Sequence, residues 1–202
     1  HTKDRGFAFE YILQQNTDSV LDKSLQDYYL AEKNALIPMM ILSPTIINDG
    51  HVLNISSQPI AYLSHKTDNT YYDGIEFSRL FKNQDAHNLK FSSALRMNAT
   101  FPYISPVVYL PSRPMIEVMD AGLRDNLGAD LSVKFIHTFK HWIEKNTSGV
   151  ILLQIRSGER MTVSKEQKRK SFLRSLISPF LDFNRSWGNA RDLERDKLLN
   201  YS

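Results

Sequence analysis

Asp120 is the side chain with the strongest claim to chemistry. It follows the apolar run Met115-Ile-Glu-Val-Met119 and precedes Ala121-Gly122. In open α/β sheets, functional groups gather beyond the carboxyl ends of strands. A carboxylate at such an end, beside a glycine that lets another backbone approach, can serve as a general base. The same local pattern also builds a plain Asx-type turn that caps a strand, which taken alone is the commoner outcome. His137 and His141 stand four apart on a predicted helix and share a face, which is metal-like spacing. No Glu stands beside His137, so the zinc-protease pattern is missing. The apolar stripe Leu131, Phe135, Phe139 and Trp142 puts both histidines toward its polar flank, where they read as a surface pair. His51, beside Asn48-Asp-Gly50, reads as an ordinary loop residue.

Other chemistries are excluded. The chain has no cysteine, so structural disulfides, thiolate catalysis and Cys-ligated zinc are ruled out. Its eight glycines are scattered singly and form no phosphate-binding loop. No Gly-x-Ser-x-Gly elbow occurs: Ser148 and Ser157 each precede one glycine, and neither stands between two.

A helix is predicted over Asp18 to Lys33, with Thr17 as N-cap and Val20, Leu21, Leu25 and Tyr28 at helical spacing. Ile37-Pro-Met-Met-Ile-Leu42 suits a strand buried on both faces. Asn48-Asp-Gly50 is a turn signal, and Ile60-Ala-Tyr-Leu63 reads as a second strand antiparallel to the first. Residues 64–74 read as a polar loop, Phe77 to Phe81 as a short helix and Leu89 to Met97 as a longer one. Pro102 and Pro106 forbid regular helix after it. Val107 to Leu110 and Met115 to Met119 read as strands. Asp130 opens the clearest helix as its N-cap, and Ser148-Gly149 stops it. Val150 to Ile155 is rich in β-formers, and Lys168 to Phe183 reads as a basic amphipathic helix. Strands alternating with helices argue an α/β layered fold with a mostly buried sheet.

The chain has 202 residues, 42% apolar and 23% charged, which is globular composition and enough for one domain with a core. No apolar run approaches the ~18 residues that span a bilayer. Residues 1–153 hold 14 Lys and Arg against 16 Asp and Glu, whereas residues 154–202 hold 11 against 6. A basic tail can meet nucleic acid or anionic lipid, but a solvated helix pair accounts for it more simply. Few aromatics interleave the basic helix, which argues against nucleic acid.

Several segments, in order, resemble the patatin-like phospholipase family. Ile37 to Gly50, followed by Ile60-Ala-Tyr-Leu63, is similar to that family's strand–turn–strand after the nucleophile helix. Ala94-Leu-Arg-Met-Asn-Ala-Thr-Phe-Pro-Tyr-Ile-Ser-Pro106 is similar to its small-residue helix end followed by two prolines. Met119-Asp-Ala-Gly-Leu-Arg-Asp-Asn126 is similar to its Asp-Gly-Gly or Asp-Gly-Ala motif, with Ala121 departing at the first glycine. The resemblance covers roughly residues 5–160. It implies an α/β fold that is part of a three-layer α/β/α sandwich with a central mixed, mostly parallel sheet. It further implies hydrolysis of lipid acyl esters by a serine–aspartate pair without histidine and without a cofactor, with Asp120 as the catalytic aspartate. It maps nothing onto the serine or the oxyanion loop, which precede the matching region in the family.

On this reading residues 1–160 form the C-terminal part of the catalytic domain, and residues 161–202 a basic helical tail packed on it. The chain alone is expected to be inactive until an upstream half supplies the nucleophile. Expected partners are a lipid or acyl-ester substrate, that upstream half, a peripheral membrane contact and a second copy of the chain, with no nucleic acid. The expected location is cytoplasmic or at the membrane periphery. The alternative is a non-catalytic module that binds an anionic membrane surface through its basic C-terminal helix.

Overall fold

A computed structural model describes residues 4–64, 74–101, 105–125 and 127–155. The chain divides after Leu152 into two units, and the helices and strands named below all belong to the first. The tail 161–202 and the basic helix expected over Lys168 to Phe183 lie outside the described residues.

Helix α1 spans Arg5–Asn16 and opens on Asp4, whose carboxylate accepts the Phe7 amide at 2.8 Å. Thr17 closes this helix, with its hydroxyl donating to Leu13 O at 2.8 Å, rather than capping the next one as expected. Asp18 and Ser19 then adopt positive φ, +48° and +59°, which a continuing helix does not tolerate. Helix α2 is therefore shorter than expected, Leu25–Lys33. Its start is fixed by Ser24, whose amide donates to Asp27 Oδ2 at 2.7 Å in a capping box.

The run from Ile37 to Leu42 is not a strand buried on both faces. Ile37 and Met39 are exposed, and only Leu42 pairs, through a single antiparallel bridge with Ile55. Pro38 removes one ladder donor, and the Met40 amide is taken by the Glu32 carboxylate instead of a strand. Strand β1 is Thr45–Ile46. The expected turn follows, with Gly50 at φ +79°, and leads into β2, Val52–Asn54, antiparallel to β1. Ile60 to Leu63 is also not a strand. Its amide is drawn off by Glu76 Oε1 at 2.9 Å, and Ala61–Ser64 winds into a 3-10 turn.

Strand β3, Gly74–Glu76, runs parallel to β2 and leads into the short helix α3, Phe77–Leu80. Helix α4 is Phe91–Ala99, and β4, Val108–Leu110, pairs antiparallel with β5, Ile116–Met119. The five strands form one mixed sheet in the order β3-β2-β1-β5-β4. Three of the four pairings are antiparallel, where a mostly parallel sheet was expected. Helix α5, Gly122–Asp125, and the long helix α6, Ala129–Asn146, complete the unit.

Strand alternation sends neighbouring side chains to opposite faces. Leu53 joins Ile46, Val118 and the α4 residues Phe91, Ala94 and Met97 in the larger core. Val52, one residue earlier, joins Ile60 and Leu63 under Leu131 and Phe135 of α6. Val150 to Leu152, rich in β-formers, pair with no strand among the described residues, and Ile151 is 97% exposed.

Candidate functional site

Strand β5 delivers Asp120 to the end of the sheet's second strand from the edge, and α4 holds it there. The Asp120 amide donates to Thr100 O at 2.9 Å, and the Ala121 amide to Asn98 O at 3.2 Å. From the other side, the Thr45 hydroxyl donates to Asp120 O at 3.1 Å. Asn98 also accepts the Ser43 amide on its side-chain oxygen at 2.8 Å, which ties the entry to β1 to the same helix end. The backbone of Asp120 is thus fixed between β1 and the C-terminus of α4, both of which the core packs in place.

The side chain is held more loosely. Oδ1 accepts the Gly122 amide at 2.6 Å, the Asx-type turn that the sequence also allowed. Oδ2 accepts no hydrogen bond among the described residues. The group is half-buried, and burial pushes its carboxyl above the ordinary aspartate value, outweighing the Gly122 amide that pulls it down. A carboxylate with a raised proton affinity and one uncommitted oxygen can take a proton from a neighbouring group.

Two acidic residues that the sequence did not single out have clear roles. Asp125, 3% exposed, accepts the Ala129 amide at 2.8 Å and the Leu131 amide at 3.1 Å. It thereby caps α6, a task expected of Asp130, and couples that helix to the turn that carries Asp120. Glu32 is buried on α2 and accepts the Ser57 hydroxyl at 2.5 Å and the Met40 amide at 3.3 Å. This serine–carboxylate pair is closed to a substrate, since Ser57 is buried as well, and it fastens two loops to α2.

His137 and His141 are both exposed on α6, a surface pair as expected. His51 holds its loop, with Nδ1 2.9 Å from Asp49 Oδ1. Among the described residues no group of three His, Cys, Asp or Glu side chains is placed to hold a metal ion. No described helix is long and apolar enough to cross a membrane.

Comparison with protein-family models, with curated proteins and with solved structures returned no match.

Proposed function

We propose that the chain contributes the general base, Asp120, to a serine–aspartate hydrolase of lipid acyl esters, of the patatin-like kind. The supporting observation is a half-buried carboxylate at a strand end, fixed through its backbone on both sides, with one oxygen that accepts no hydrogen bond among the described residues. The two cores on opposite faces of the sheet suit the three-layer α/β/α sandwich of that family. The nucleophilic serine and the oxyanion loop come, on this reading, from an upstream half of the same protein.

The chemistry needs no cofactor. The serine oxygen attacks the ester carbonyl as its proton passes to Asp120, and backbone amides of the upstream half hold the oxyanion, worth roughly 3–4 kcal/mol per donor. The proton then leaves Asp120 for the departing alcohol as the acyl-enzyme forms. Asp120 next takes a proton from water, whose oxygen attacks the acyl group; the acyl–serine bond then breaks, the serine oxygen recovers the proton from Asp120, and the fatty acid leaves. An ordinary aspartate, with a pKa of about 3.9, is a weak base at neutral pH. Burial narrows that mismatch.

The test is a chromogenic short-chain ester assay on three samples: this chain, the protein extended upstream, and the extended protein with Asp120→Asn. The expected result is turnover only in the second. The amide cannot accept the serine proton, so the variant falls by several orders of magnitude, of the size seen when a catalytic unit is broken. Turnover by this chain alone, or undiminished turnover in the variant, overturns the proposal.

A further inference from the structure

The metal-like spacing on α6 has no place in ester hydrolysis, and its geometry supports a site of its own. His137 and His141 lie well inside an 18-residue helix, Ala129–Asn146, more than one turn from either end. Residues four apart on a helix carry their Cβ atoms about 5–6 Å from one another on the same side. Both side chains face solvent, and neither imidazole makes a hydrogen bond or ion pair among the described residues. The charged neighbour between them, Lys140, leans toward Glu144, with Nζ 4.0 Å from Oε1.

We propose that His137 and His141 together bind one late first-row divalent cation, Cu²⁺ most tightly and Ni²⁺ and Zn²⁺ less so. Neutral imidazole is the commonest protein ligand for these ions, and affinity at nitrogen sites rises along the series to Cu²⁺. Two nitrogens at ~2.0–2.1 Å from one ion can be supplied by adjacent turns of one helix without bending it. No third His, Cys, Asp or Glu is placed to join them among the described residues, so the pair itself is the set of ligands to be tested. The helix is already formed, so the two ligands are presented without the ordering cost of a flexible loop. Binding across one turn then holds α6 more firmly.

The experiment is calorimetric titration of the chain with NiCl₂ in a non-coordinating buffer, beside His137→Ala, His141→Ala and the double variant. Far-ultraviolet circular dichroism confirms that each remains folded. The natural chain should bind one Ni²⁺ that the double variant does not. Each single variant should weaken that event by at least the ~10–100-fold that loss of a supporting partner costs a metal site. The second substitution should then add little, because chelation is already lost. Lys140→His in the His141→Ala background restores a pair three apart on the same face and should recover binding. Saturating Ni²⁺ should also raise the melting temperature of the natural chain and leave that of the double variant unchanged. Equal titrations for the natural chain and the double variant overturn the site. So do additive losses from the two single substitutions, which would mean independent histidines.

Discussion

Asp125→Ala tests how the Asp120 turn and helix α6 are coupled. The Asp125 carboxylate takes two amides at the start of α6, Ala129 at 2.8 Å and Leu131 at 3.1 Å, and the residue is 3% exposed. Replacing a capping side chain by alanine costs about 0.5–2 kcal/mol at an ordinary helix start. Here the cap is ionic and doubly bonded, and hydrogen bonds to a charged group contribute about 1.5–3 kcal/mol each. Water entering the vacated site recovers part of that, so the expected loss is about 2–4 kcal/mol. Asp125→Asn keeps one acceptor and should lose about half as much. The assay is urea unfolding followed by circular dichroism, in which the midpoint falls and the slope stays constant. Lys140→Ala, on the exposed face of α6, is the control and should stay within about 0.5 kcal/mol. An Asp125→Ala loss no larger than that control would show that α6 does not depend on this cap.

Other expectations follow from the same structure. Burial raises the Asp120 carboxyl, so its ionised form is disfavoured in the folded chain. That term favours folding fully below the unfolded value, about 3.9, and is lost as pH rises through the higher folded value. Asp120→Asn keeps the acceptor for Gly122, so it should be more stable than the natural chain at pH 7 and lose that advantage in acid. Urea midpoints at the two pH values read this, and a destabilised variant at pH 7 contradicts it. Gly6→Ala should destabilise, although alanine in an open helix is normally favoured by about 0.5–1 kcal/mol. Its Cβ would overlap the Arg96 guanidinium, which Asp4 and Glu10 hold at 3.5 and 3.3 Å, and overpacking of this kind costs about 1–3 kcal/mol. Thermal melts give the sign, and Arg96→Ala in the same chain should make Gly6→Ala harmless or favourable.

Parts of the fold were legible because local chemistry and final environment agree. Asn48-Asp-Gly50 turns as its residue types demand, and Gly50 takes the positive φ. Helices α4 and α6 and strands β4 and β5 lie within two residues of where their apolar patterns placed them. The two early strand readings failed because an apolar run does not reveal whether a partner strand exists. Buried carboxylates outside those runs, Glu32 and Glu76, claim the Met40 and Ile60 amides instead. Helix α1 has no sequence signature, because Phe7, Phe9, Tyr11 and Ile12 are spread around it and all remain well exposed, leaving no apolar stripe. The place of Asp120 at a strand end was legible from the apolar run before it. Asp125 was not, because its partners lie beyond a break in the helix and only the folded turn brings them together.

The central claim is that Asp120 is a carboxylate prepared to accept a proton, and its own titration tests that most directly. Carbon-13 detection of side-chain carboxyl groups across pH 2–8 follows each aspartate, and the signal missing from Asp120→Asn identifies the one that matters. The inflection expected for Asp120 lies above the ordinary aspartate value of about 3.9, because burial outweighs the single amide at Oδ1. An inflection at or below that value would mean a solvated or strongly hydrogen-bonded turn carboxylate, and would contradict its assignment as a base.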